Sequence, residues 1–558
     1  FPQQFFPSSM IARNGSFCLS DKVSGQPIFY SNGEYVWSEG HVPMPNGSEI
    51  YGTALNQQPG IAFEVPGTTN KYYIFTNGNL DHPGCYYSVI DMSLNAGLGD
   101  VIPDQKNIRL AGIDAAQGVI MATRHPDHKS YWVVFRSIRE PNNLYAYFVD
   151  EDGVSTEPVI SECLTSHGYN EYSMSKFSPD GNFYCYTSSN WNMEEERTYE
   201  LYSFNDMTGQ FSGLFLFKGL PDKPEEYDLE HRSNGIEFSA DSKFLYSAIQ
   251  AVEPGEPPTP KQYIVQFDMN RTGGFEQFEA SEKLIHQKDI LDSYCQMQLA
   301  RDGRIYIAHD ENKGNKKLSR IYYPHKLNTD CDFRDDEINL SSSSESTFGL
   351  PVFVPSYFNR FDWLGNCFPD STYFKSNFHP APYAISWDFG DGSPTSSQFN
   401  PAHKFPSPGT YTVTATAQYP REEVEVVSRT VTIVAYPQFN LGPDFSVCPG
   451  TDTTLDVGLV IGAELLWNTG ETVPAIVASA GEYWLTAENR YGCVFSDTLS
   501  ITEYSAPLID NSNVEIFPAT CTGPTGFITG IEIQGAEPFT YIWSDASGNV
   551  VGNTLDMP

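Results

Sequence analysis

The chain has 558 residues and carries 70 Asp plus Glu against 33 Lys plus Arg, a formal net charge of −37. A single hydrophobic core stops growing near roughly 250–300 residues, so several domains are expected. The charge repels a phosphate backbone, which argues against nucleic acid and anionic membranes as partners. Aromatic residues at 14%, with 44 Gly and 39 Pro, favour strands and tight turns, so an all-β protein is expected.

Ten cysteines are scattered without a C-x-x-C pair, which leaves zinc-ribbon and thioredoxin-type chemistry without support. Isolated disulfides in an oxidising compartment are expected instead. No apolar run is long enough to form a transmembrane helix. The chain opens at Phe1-Pro2 without methionine, so a mature exported chain with its signal removed is expected.

From the N-terminus, the first 360 residues repeat. "KFSPDGNFYCYTS" (176–188), "EFSADSKFLYSAI" (237–249) and "QLARDGRIYIAHD" (298–310) align without gaps, with Phe177, Phe238 and Leu299 61 residues apart each time. Each copy reads as two alternating strands joined by a turn at Asp180-Gly181, Asp241-Ser242 or Asp302-Gly303. Looser copies precede them at 18–33, 63–78 and 123–135, and a second strand pair lies between successive copies, as in "LYSFNDMTGQFSG" (201–213). Four strands per unit predict a β-propeller over 1–360, with seven blades expected and six as the alternative. The segment "FGLPVFVPSYF" (348–358) is expected to close the ring against strands near 4–13, removing free sheet edges.

Beyond Asn359 a tryptophan followed by polar turn residues recurs in "SWDFGDG", "LWNTGET" and "IWSDASG". Trp387, Trp467 and Trp543 lie 80 and 76 residues apart, the length of a small β-sandwich with tryptophan between its sheets. Tandem immunoglobulin-like sandwiches are therefore expected over 361–436 and 437–505, with the start of a third over 506–558. Cys448 and Cys493 bracket Trp467 in the Cys…Trp…Cys order of immunoglobulin domains, so a Cys448–Cys493 disulfide is expected. The third module stops at Pro558 before the strands that would complete it, and a longer gene product is expected.

"WDFGDGSPTSSQFNPAHKF" (387–405) places Asp388, Asp391 and His403 close together in sequence. With "GTYTV" behind it, the stretch closely resembles the signature of the PKD domain, an immunoglobulin-like sandwich. That resemblance implies Trp387 in the core, both aspartates in a hairpin with Gly390 and Gly392, and His403 anchoring a loop. A calcium ion on Asp388 and Asp391 is the weaker reading, because calcium takes six to eight oxygens and only two carboxylates are local.

"IFYSNGEYVWSEGHVPMPNG" (28–47), "KYYIF" (71–75), "YSVIDMSLNAGLGDV" (87–101), "KFSPDG" (176–181) and "FGLPVFVPSYF" (348–358) resemble the N-terminal propeller of large surface proteins of gliding and related Bacteroidetes. "ATCTGPTGFITGIEIQGAEPFTYIWSDASG" (519–548) resembles the SprB-type adhesin repeat. These resemblances imply secretion to the outer cell surface and recognition by the type IX secretion machinery through a C-terminal domain not present here. They carry no agreed catalytic residues.

H-E-x-x-H, G-x-S-x-G, P-loop and G-x-G-x-x-G motifs are all missing. Charged loops that could line a ring's mouth are His125, Asp127 and His128, then Glu230, His231 and Arg232, then His309, Asp310 and Glu311, although solvated surface charge is the simpler reading. Asp497-Thr498-Leu499 fits a short O-glycosylation pattern. No cofactor beyond possible calcium is expected. The sequence favours a non-catalytic surface adhesin, with a glycan or surface protein as partner and no integral membrane segment. A subunit of a surface filament or gliding-associated assembly, and a polysaccharide-degrading enzyme using the propeller mouth, are the alternatives.

Overall fold

The computed structural model describes the chain apart from residues 1–9, 11–13, 22–24, 80, 115, 128, 138–141, 166–172, 188–198, 218, 220–231, 254–258, 290–292, 311–315, 341–348, 379–380, 421–422, 520–525, 536 and 558. It is all-β, with one five-residue α-helix, Phe275–Glu279, among the described residues. The chain divides into two compact units, Phe1–Ile433 and Val434–Pro558.

In the first unit six sheets, antiparallel but for one short parallel pair, follow one another in sequence. They begin at the strands Ser16–Ser20, Gly60–Glu64, Ala116–Arg124, Met174–Phe177, Arg232–Phe238 and Ser293–Leu299. Each of these first strands touches the first strand of the next sheet. The circuit then returns to its start. Gln296 Oε1 accepts from the backbone N–H of Leu350 at 2.6 Å, and Pro351–Val352 pairs in parallel with Ser16 and Phe17.

This is a propeller-like ring of six sheets among the described residues, the alternative count rather than the expected seven. The reason is the closing segment, which contributes one two-residue strand to the first sheet instead of building a sheet of its own. Its partner is Ser16–Phe17, and the expected pairing with 4–13 falls almost wholly outside the described residues.

The 61-residue repeat has a physical basis in the turns. Gly181, Ser242 and Gly303 occupy the same turn in successive sheets, at φ of 80°, 59° and 73°. That left-handed conformation is accessible to glycine and costs a serine strain. The aspartate before each one caps the turn: Ser178 Oγ donates to Asp180 at 2.6 Å and Ser239 Oγ to Asp241 at 2.6 Å, while the backbone N–H of Arg304 donates to Asp302 at 3.2 Å. Phe177, Phe238 and Leu299 are buried just before these turns and fill the space between sheets.

A β-sandwich completes the first unit. One sheet is built from Phe361–Leu364, Thr372–Ser376 and Ala402–His403, the other from Cys367–Phe368, Ala384–Asp388, Gly409–Tyr419 and Glu423–Ala435. Its core gathers Phe361, Phe374, Trp387, Phe389, Val413 and Val431. The second unit contains another sandwich, whose larger sheet runs Phe445–Val447, Val494–Glu503, Gly481–Asn489 and Ala463–Trp467. Trp467, Leu485 and Ile501 fill its core. Beyond it lie three two-stranded pairs, with Leu508, Ile516 and Val550 exposed.

Candidate functional site

Buried polar side chains on the first strands of the ring bond to one another. Lys176, Glu237 and Gln298 hold the same position in three successive first strands, 61 residues apart. Lys176 Nζ donates to Glu237 Oε2 and to Gln298 Oε1, both at 2.8 Å. Glu237 also accepts from the backbone N–H groups of Phe238 and Leu299. Lys176 is fully buried, and Glu237 nearly so. Gln58 bridges the strand at Ser175, donating to its carbonyl at 2.8 Å and accepting from its N–H at 3.0 Å. A buried charge that is paired and fully hydrogen-bonded is tolerated; an open one would shift its pKa or draw in water.

Antiparallel geometry sorts the three loop candidates. The first strand of the fifth sheet starts at Arg232, and the second strand of the sixth sheet ends at Asp310, so Arg232 and Asp310 lie at one end of the ring. The turn carrying His125 and Asp127 joins the first and second strands of the third sheet and lies at the opposite end. Among the described residues, Arg232 and Asp310 therefore do not meet His125 and Asp127. His128, Glu230, His231 and Glu311 lie outside the described residues. Asp127 accepts from the backbone N–H groups of Lys129 and Ser130 at 2.8 Å, so it shapes its own turn. Burial works to raise its pKa, but hydrogen bonds from His125 and Ser130 outweigh that and hold the carboxyl well below its usual range.

One constellation has the residue types of a metal or acid–base site. His309, Asp335 and Asp336 bring ligand atoms within 4.8 Å of one another, the one such group of three among the described residues. Ser319 Oγ sits in its midst, 2.8 Å from His309 Nε2 and 2.6 Å from Asp335 Oδ1. The pattern Ser319, His309, Asp336 has the residue types of a nucleophilic triad, yet His309 Nδ1 is 3.7 Å from Asp336 and both Ser319 and His309 are fully buried. Lys288 lies 3.2 Å from Asp335, and Lys317 lies 3.5 Å from Asp336. The two ammonium groups already balance the two carboxylates, so this donor set does not ask for a cation.

The turn at Trp387–His403 is committed to structure. Trp387 is fully buried and its Nε1 donates to the Gln398 carbonyl at 2.9 Å. Asp388 accepts from the backbone N–H of Gly390 at 2.9 Å. Asp391 accepts from the backbone N–H and hydroxyl of Ser393 at 3.0 and 2.5 Å, and from His403 Nε2 at 2.7 Å. The imidazole stacks on Phe389 at 3.8 Å between centroids. Burial favours a protonated Asp391, but the bonds from Ser393 and His403 prevail and lower its pKa. For the calcium reading, Asp388 and Asp391 belong to no group of three His, Cys, Asp or Glu side chains whose ligand atoms lie within 4.8 Å of one another among the described residues.

Trp467 is likewise core, its Nε1 donating to the Val473 carbonyl at 2.9 Å, while Trp543 is half-buried and donates to Thr554 O at 2.8 Å. The expected Cys448–Cys493 bond is corrected: Cys493 is disulfide-bonded, as is Cys367, but Cys448 is a free, exposed thiol. Strand register gives the reason. Phe445–Val447 pairs with Ile501–Glu503 while Cys493 precedes the far end of that same strand at Val494, about 30 Å away at ~3.3 Å per residue, where a disulfide tolerates about 7 Å between Cα atoms. In the O-glycosylation pattern, Asp497 is engaged, accepting from the backbone N–H groups of Leu441 and Thr498 at 2.9 Å each.

Sequence reasoning missed a cleft on the fourth sheet. Ser203, Phe204, Asn205, Asp206, Gln210 and Ser212 line about 460 Å³ of open, polar space. Ser203 lies opposite Ser212 and Asn205 opposite Gln210 across the last two strands, Tyr199–Asn205 and Gln210–Phe217, so all four share one face. Phe204 and Phe211 point the other way into the core. Trp132 of the third sheet pins the turn: its Nε1 donates to Asp206 O at 2.7 Å, and its ring lies where any Cβ on Gly209 would stand, 2.6 Å away. Burial pushes the Asp206 carboxyl up to about 6 against the pull of His125. A neighbouring sheet thus creates the unusual carboxyl, and "FNDMTGQF" alone carries no sign of it.

The PKD domain family matches residues 373–433, so the first unit's sandwich is a PKD domain. No curated protein sequence matches the chain. Among solved structures, a candidate 6-phosphogluconolactonase from Bacteroides uniformis aligns at 12% identity over 59% of this chain and 96% of its own, with a TM-score of 0.30. A protein of unknown function from Dyadobacter fermentans aligns at 9% identity over 69% and 97%, with a TM-score of 0.31. An ulvan lyase of polysaccharide lyase family 25 aligns at 8% identity over 68% and 93%, with a TM-score of 0.28. PKD domains are typical of extracellular proteins. No helix among the described residues is long and apolar enough to cross a membrane.

Proposed function

We propose that this chain is an exported surface protein whose propeller-like ring recognises a glycan without turning it over, and whose sandwiches act as a stalk. The observation that carries this reading is the combination of a PKD domain with a ring in which the buried Lys176, Glu237 and Gln298 are occupied with one another and, among the described residues, Arg232 and Asp310 lie at the opposite end from His125 and Asp127. The resemblance of 14–360 to Bacteroidetes surface propellers supports secretion to the outer surface through the type IX machinery. Adhesion is the role such a protein would serve.

The test is a glycan-array screen of the full chain with and without calcium, followed by a turnover assay on each sugar that binds. Binding without turnover is the expected result. Turnover would replace this reading with a polysaccharide-degrading enzyme. No binding, with concentration-dependent self-association, would replace it with a subunit of a surface assembly.

A further inference from the structure

We infer that the cleft formed by Ser203, Asn205, Asp206, Gln210 and Ser212 is a subsite for a neutral, hydroxyl-rich sugar. The inference rests on the glycan-binding reading and names where in the ring it takes place. Its volume, about 460 Å³, falls in the range of small-ligand pockets, roughly 300–1,000 Å³.

The lining has the right chemistry for sugar hydroxyls. Two serine hydroxyls and two amides offer both donors and acceptors, and a carboxyl adds an acceptor when ionised. Asn205 spends its Oδ1 on the N–H groups of Met207 and Thr208, at 3.1 and 3.2 Å, which fixes the amide with its Nδ2 as the donating end. Direct cross-strand pairing holds Ser203 against Ser212 and Asn205 against Gln210, so the polar groups stand in a two-by-two array on a rigid sheet. Rigid placement limits the ordering entropy that a ligand must overcome.

Charge narrows the ligand class. Asp206 is the lone ionisable residue among the lining groups, so an anionic sugar would meet a carboxylate and no cation. The charged groups acting on Asp206 are His125 from the third sheet, Asp180 from the first turn of the fourth and Arg429 from the PKD strand Glu423–Ala435. Burial dominates these and keeps the carboxyl partly protonated until about pH 6. An ionised Asp206 accepts hydrogen bonds from two hydroxyls, whereas the protonated form must also place a proton. Binding should therefore strengthen between pH 5 and 7.5.

The experiment uses the full chain on an array of neutral and sialylated or uronic-acid glycans at pH 7.5 and pH 5. Gln210→Ala and Ser212→Trp are the variants; Gln210 is exposed, and thermal denaturation of both controls for folding. Expected are hits among neutral glycans, at least tenfold weaker in both variants and weaker at pH 5. Unchanged binding by Gln210→Ala and Ser212→Trp would overturn the cleft while leaving the glycan reading intact, as would hits confined to acidic glycans. No glycan binding by the unmodified chain would overturn both.

Discussion

Lys176 and Glu237, 61 residues apart in sequence, meet as a buried ion pair at 2.8 Å between the fourth and fifth sheets. They are equivalent positions of a repeat that carry opposite charges, with Gln298 as the neutral third copy. Lys176→Met leaves Glu237 as an uncompensated buried charge. It is expected to cost about 3–5 kcal/mol, while Lys176→Met with Glu237→Leu recovers most of that loss. Urea denaturation of the two variants checks this; equal destabilisation would contradict it.

A second buried pair joins the ring to the PKD sandwich. Arg360 Nε donates to Glu425 Oε1 at 2.7 Å and Nη2 to Oε2 at 3.3 Å, and Arg360 Nη1 reaches the Arg301 carbonyl at 3.4 Å in the turn of the sixth sheet. Arg360→Ala should cost about 3 kcal/mol and raise hydrogen exchange in Phe361–Leu364. Unchanged exchange there would mean the pair does not brace the joint.

Asp206 gives a pH signature. Its folded pKa is raised above the unfolded value, so its favourable contribution is present at low pH and is lost as pH rises through about 6. Asp206→Asn should therefore stabilise the protein at pH 7.5 by on the order of 1 kcal/mol and change little at pH 4. Melting curves at both pH values decide it.

Asp391 has the opposite sign. Its folded pKa is lowered, so its contribution is present above the ordinary carboxylate range and is lost as pH falls through the depressed value. Asp391→Asn is expected to destabilise the PKD sandwich by about 1.5–3 kcal/mol at pH 7, the range for a hydrogen bond to a charged group. Chelation with EDTA should leave the melting temperature unchanged. A calcium-dependent shift would restore the ion to this turn.

Cys448 is the exposed thiol among the described cysteines. A thiol reagent added to native protein should label it within minutes and leave Cys85, Cys185, Cys295 and Cys331 unmodified until denaturation, as read by peptide mass spectrometry. Labelling of Cys493 without reductant would contradict the disulfide assignment.

The all-β class, the 61-residue period and the PKD signature were legible because they rest on local chemistry: alternation along strands, aspartate-capped turns with a left-handed residue, and a tryptophan followed by a Gly-Asp-Gly hairpin. A loop-anchoring role for His403 could be read from the motif, while its partner, Asp391, came from the structure. The sequence alone therefore determined the all-β class, the PKD module and the work of the turn residues Asp180, Asp241, Asp388 and Asp391. Tertiary structure decided what depends on register and on neighbours distant in the chain. It made Pro351–Val352 one strand of the first sheet rather than a seventh blade. It set Cys448 and Cys493 at opposite ends of one strand, which motif order does not encode. It placed Trp132 over the Asp206 turn, so that burial from another sheet, and not any local pattern, raised that carboxyl.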